Sequence, residues 1–126
     1  MDETDGDRSL ADGGSNSSLG ASSNAAGNLQ LIVGGTLKYT GAAVSTDRLF
    51  TVSGGSGTLN ASGTGALNLT NSGNLGFSGG ARTLTLTGTN TGANTLAATV
   101  ADVTVAATSV TKSGAGTWIL SGANTY

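Results

Sequence analysis

Few side chains in this sequence are equipped for chemistry, and their spacing decides what they could do. Among 126 residues there is no Cys, no His and no Pro. Thiolate or imidazole metal sites, haem ligation, disulfide frameworks and Ser-His-Asp or Cys-His catalysis are thereby excluded. Asp102, with Arg82 as a distant cation, is the remaining candidate for calcium-assisted acid–base work. That chemistry needs several carboxylates for the ion and a further base, which one Asp cannot assemble. The plainer reading makes Asp102 a turn residue opening a strand Asp102-Val103-Thr104-Val105. Lys112 beside Ser113 suggests a Ser-Lys nucleophile, but adjacent strand residues point to opposite faces, so one cannot activate the other. Gly54-Gly55-Ser56-Gly57-Thr58 approaches the Gly-Gly-x-Gly-x-Asp calcium loop, with Thr58 standing where the carboxylate ligand is required. No Gly-rich phosphate loop sits between a strand and a helix. The expectation is no catalytic, cofactor-binding or metal-binding residue, and no cofactor.

The five aromatics are Tyr39, Phe50, Phe77, Trp118 and Tyr126. Exposed, they could stack on sugars; Phe77 and Trp118, however, fall at inward-facing places and are expected to fill the core. Asn16-Ser17-Ser18, Asn60-Ala61-Ser62 and Asn68-Leu69-Thr70 are nominal glycosylation sequons, unsurprising where Asn, Ser and Thr are so common.

The elements that must carry these residues are legible in composition. Gly, Thr, Ser and Asn supply 67 of the 126 residues. Gly costs about 1 kcal/mol per helical site relative to Ala, and the other three are mediocre helix formers, so short strands between Gly- and Asn-rich turns are expected. The net charge of −2 divides unevenly. Residues 1–12 hold Asp2, Glu3, Asp5, Asp7 and Asp12 against Arg8, whereas only four cations are scattered over residues 13–126. Scattered cations make no basic stripe, so no nucleic-acid partner is expected. No apolar run suits a membrane-spanning helix, and the acidic start does not read as an export signal. Residues 1–26 offer little to bury beyond Leu10 and Leu19 and read as a disordered polar leader.

From residue 27 a short unit recurs. Gly35-Thr36-Leu37-Lys38-Tyr39-Thr40-Gly41, Gly57-Thr58-Leu59-Asn60-Ala61-Ser62-Gly63 and Arg82-Thr83-Leu84-Thr85-Leu86-Thr87-Gly88 are clear copies. Gly116-Thr117-Trp118-Ile119-Leu120-Ser121-Gly122 closes the series. Apolar third and fifth places around a polar fourth give the period-2 signature of a strand with one buried face. Unit starts at 27 and 35, at 57, 65 and 73, and at 108 and 116 are evenly spaced. Three such steps make a coil of roughly 24 residues, within the range of stacked repeats. The expected fold is all-β: a right-handed parallel β-helix, or solenoid, of roughly four coils over residues 27–126. An antiparallel β-sandwich is the alternative. The small Ala, Val, Leu and Gly side chains favour the narrow solenoid interior.

The run Thr111-Lys112-Ser113-Gly114-Ala115-Gly116-Thr117-Trp118-Ile119-Leu120-Ser121-Gly122-Ala123-Asn124-Thr125-Tyr126 resembles the autotransporter-associated β-strand repeat of bacterial surface passengers. Lys112, Gly114, Gly116, Thr117, Leu120, Gly122, Asn124, Thr125 and Tyr126 carry the match. The resemblance implies a non-catalytic structural or adhesive segment of a much larger passenger, at the cell surface, in the outer membrane or secreted. Its implied partners are neighbouring coils of the parent passenger and host or cell-surface glycans or proteins, with no membrane insertion by the segment itself. Two other roles fit less of the pattern: a fragment of an enzyme-bearing passenger whose catalytic residues lie elsewhere, and a carbohydrate-binding β-domain.

Overall fold

A computed structural model describes residues 10–103 and 106–126. Among the described residues eleven short strands follow one 3-10 turn at Ala26–Asn28. They are β1 (Gln30–Ile32), β2 (Gly35–Tyr39), β3 (Val44–Thr46), β4 (Thr51–Ser53), β5 (Ser56–Ala61) and β6 (Leu67–Leu69). The remainder are β7 (Gly76–Ser78), β8 (Arg82–Thr87), β9 (Asn94–Leu96), β10 (Thr108–Lys112) and β11 (Trp118–Leu120). Every pairing between these strands is parallel, and each strand pairs with those about one coil away in sequence. Three sheets result: β1-β4-β7, β2-β5-β8-β10 and β3-β6-β9-β11. The chain is a β-solenoid of about four coils, and the antiparallel sandwich is excluded by the pairing.

Alternation decides which side chains enter the interior. On β5 and β8 every second residue is buried, and the register sets Leu37 on Leu59 on Leu86 in one inward row. Leu59, Leu67, Leu84, Leu86, Leu96, Val52, Val100 and Phe50 are essentially water-free. Each such side chain contributes about 1.5–3 kcal/mol of burial. The outward row Thr36–Thr58–Thr85–Thr111 sets one threonine on each coil of the second sheet.

Several expectations are refined by the register. Thr85, rather than Thr83, stands over Thr58, and the Trp118 unit lies on the third sheet, opposite Asn94. The evenly spaced units are therefore successive sides of the coil as well as successive coils. Asp102 does not open a strand: Val103 forms an isolated antiparallel bridge to Ala106, and Thr104 and Val105 lie outside the described residues. No strand there joins β7 to a fourth coil among the described residues, so the first sheet stops at three strands.

Of the segment expected as a disordered leader, residues 1–9 lie outside the described residues. Residues 10–26 lie against the first coil instead of projecting into solvent. Leu10 is buried with Tyr39, Ala61 and Leu67, and Leu19 packs against both core clusters. The physical reason is Arg48, whose guanidinium is buried and finds its partners in this segment's carbonyls. Among the described residues no helix is long and apolar enough to cross a membrane.

Candidate functional site

The last coil carries the repeat motif, and its residues work together to seat this coil on the one before it. Lys112 ends β10, opposite Leu86, and its exposed ammonium folds back to donate to the carbonyls of Ser113 (2.8 Å) and Gly114 (3.0 Å). That geometry ties down the turn and commits the ammonium to backbone carbonyls. Gly114 has φ +72°, and a Cβ there would lie 2.7 Å from the Gly88 carbonyl oxygen. Only a residue lacking Cβ takes this conformation at this distance without strain.

Gly116 donates its N–H to the Gly88 carbonyl at 2.9 Å, and Thr117 donates to Asn90 at 3.0 Å. A Cβ on Gly122 would overlap the Ala98 carbonyl oxygen. Leu120 sits on Leu96, extending the leucine row of the third sheet. Asn124 Oδ1 accepts the Val100 N–H (2.8 Å), while Thr125 N–H donates to the Val100 carbonyl (2.9 Å). Tyr126 remains about half exposed, at 48%. Glycines thus occupy points where two backbones touch, and Asn and Thr satisfy the groups that the turns leave unpaired.

The same devices recur lower in the rod. A Cβ on Gly63 would overlap the Gly41 carbonyl oxygen, and one on Gly88 would overlap that of Ala61. Asn71 Nδ2 donates to the Asp47 carbonyl (3.0 Å) and Asn90 Nδ2 to that of Gly63 (3.0 Å), each one coil down.

Asn94 was not legible as a key position, because it reads as one more loop asparagine before a strand. It is wholly buried and spans three coils. Its Oδ1 accepts the Leu67 N–H at 2.8 Å, and its Nδ2 donates to the Thr117 carbonyl at 2.8 Å. A buried amide with both ends paired fixes coil register in a way that an apolar residue cannot.

The other candidates are dispersed. Asp102 Oδ1 accepts the Thr108 N–H at 2.7 Å, a turn contact. Arg82 is buried, donates to the carbonyls of Gly79 and Gly80, and lies 5.5 Å from the Phe77 ring centroid. Its Nη1 is buried without a partner among the described residues. Thr58 lies in β5, in the outward threonine row. Phe50 and Tyr39 are buried, Tyr39 donating its hydroxyl to the Ala42 carbonyl (2.6 Å), and this burial pushes its phenol pKa up. Trp118 is half-buried, packs on both core clusters and donates Nε1 to the Thr87 carbonyl at 3.0 Å.

Parallel coils docked through recurring Gly, Asn and Thr contacts define a stacked-repeat β-solenoid. Residues 110–126 match the Passenger-associated-transport-repeat family, as the Lys112–Tyr126 resemblance implied. Over 119 residues the chain is 44% identical to a protein named Adhesin BmaC autotransporter from Brucella suis biovar 1 (strain 1330), a match covering 93% of this chain. The chain spans 4% of that relative's length. No solved structure matches it. By these matches the chain is similar to autotransporter-passenger repeat segments.

Proposed function

We propose that the segment is a non-catalytic, load-bearing stretch of an adhesive passenger, displayed at the bacterial surface. The observation that carries this reading is the use made of the motif: Gly114, Gly116, Gly122, Asn124 and Thr125 all act on the preceding coil. Inter-coil hydrogen bonds and a leucine interior make a stiff rod, and the outward hydroxyl rows keep it wetted. The adhesin named among its relatives supports a place in attachment. Its own share is to hold contact surfaces for host or cell-surface glycans or proteins away from the membrane.

A segment swap tests this. In a parent passenger displayed on cells, these coils would be replaced by the same number of coils from an unrelated parallel β-solenoid. A scaffold role predicts unchanged surface display and unchanged attachment to host cells. Normal display with attachment lost would assign the binding surface to this segment and overturn the reading.

A further inference from the structure

The first coil differs from the others at the corner that follows the third sheet. Register aligns Thr46 with Leu69, Leu96 and Leu120. Where later coils place leucine in this inward row, the first places a threonine that is completely buried, its hydroxyl donating to the Ala11 carbonyl at 2.8 Å. The next two residues act on the same N-terminal segment. Asp47 accepts the Gly13 N–H at 2.7 Å and the Asn24 Nδ2 at 2.8 Å, while its own N–H donates to the Asp12 carboxylate at 2.9 Å. Arg48 donates from Nε to Ala11 (3.1 Å), from Nη1 to Ser22 (3.2 Å), and from Nη2 to Gly20 (2.7 Å) and Ser15 (3.4 Å), all to carbonyl oxygens. Three consecutive side chains therefore gather residues 11–24 over the open end of the coil, with Leu10 and Leu19 set into the core beneath.

We infer that residues 10–24 are a cap that closes the N-terminal face of this solenoid to any further coil. A bare solenoid end presents apolar interior and unpaired strand edges, the template for edge-to-edge association, and solenoids require polar terminal caps for solubility. A threonine in the leucine row and an arginine whose partners are backbone carbonyls suit a covering segment, whereas a stacked strand would need leucine there. The segment also belongs to the relative, since a match over 93% of the chain takes in residues 10–24. In a longer passenger this face is a joint, where the rod's core ends instead of running through.

The electrostatics of Asp47 agree in sign. The Gly13 N–H above all, then Asn24, with Arg48 adding attraction, holds the Asp47 carboxyl below its ordinary range. The facing charges are Arg48 and Asp12. A depressed folded-state pKa means that the stabilisation is present above the ordinary carboxylate pKa and is lost as pH falls through the lower value.

Hydrogen exchange and sedimentation velocity on the full chain test the inference. In the wild type the amides of Gly13 and Gly14, and that of Leu49, which donates to Asn24, should be protected. The double variant Thr46→Leu, Arg48→Met should lose protection over residues 10–24 by about a hundredfold. Its strands β5 and β8 should stay protected, and it should form end-to-end assemblies at concentrations where the wild type forms none. Residues 10–24 exchanging freely in the wild type would overturn the cap. So would a variant that frees the segment yet sediments as the wild type does. If the double variant fails to fold, Asp47→Ala, which removes only the carboxylate contacts, is judged by the same two readouts.

Discussion

Between the first and second sheets the corner has the same length in the first two coils, Val33–Gly34 and Gly54–Gly55, and is longer in the third, Gly79–Ala81. Leaving the second sheet, the corner keeps a glycine pressed on a lower carbonyl each time: Gly63 on Gly41, Gly88 on Ala61, Gly116 on Asn90. The first corner is tied to the next coil by amides, Val33 N–H to the Ser53 carbonyl and Gly34 N–H to that of Ser56, but it is free of tight packing at its tips. Gly55 and Gly80 have open space where a Cβ would stand, Val33 is exposed, and Arg82 is buried with one nitrogen unpartnered. The second corner is a backbone-on-backbone contact. Sequence repeats where two backbones meet with no room for a Cβ and varies where there is room, because only a tight contact makes a residue answerable to the coil below.

The sharpest way to break the contrast is to add one methyl group on each side of it. Gly63→Ala drives a Cβ into the Gly41 carbonyl and should cost about 3 kcal/mol or more. Gly80→Ala meets nothing within 4 Å and should stay within about 0.5 kcal/mol of wild type. Urea denaturation of both variants checks the pair; equal losses would dissolve the distinction between the corners. Just past the contact corner, Asn94→Ala strands the buried Leu67 N–H inside the rod and removes the donor to the Thr117 carbonyl. The expected loss is about 2–3 kcal/mol, with amide protection falling first at Leu67.

The same contrast explains what could be read without coordinates. Alternation in Leu37, Leu59, Leu84 and Leu86 fixes an inward face, and the spacing of the units fixes the coil, because both follow from strand geometry that each coil must repeat. The glycines of Lys112–Tyr126 were visible as a pattern, but their purpose appears only when the carbonyl of the preceding coil is seen against each one. Lateral register was misjudged at Thr83 because the free corner before β8 is longer, and a drifting loop shifts every later residue by an amount no local signal records. Arg48 and the segment it holds stayed hidden for another reason. Their partners are backbone carbonyls, which every sequence possesses, so no residue type announces them.

Arg82 sharpens the comparison within the free corner. Its bonds go to Gly79 and Gly80, whose exposed carbonyls can turn to water, and its Nη1 contributes only a desolvation cost. Arg82→Met keeps the apolar bulk beside Phe77 and removes the unpaired N–H. Stability should therefore change by less than about 1 kcal/mol, in either direction. A large loss on melting would mean that this corner, too, is held in place by the arginine at its end.

The smallest effect has the opposite sign. Val33 is the one non-glycine residue with positive φ among those described, at φ 50°, followed by Gly34 at φ 81°. A β-branched side chain in the left-handed region is strained, and Val33 recovers nothing by burial, being 75% exposed. Two successive positive φ values are what Asn-Gly accommodates with least strain. Val33→Asn should therefore stabilise the chain by about 1 kcal/mol and raise its melting temperature by a few degrees. Loss of stability instead would show that the Val33 methyl group packed against Gly54 is a genuine coil contact, and that the free corner begins one coil later.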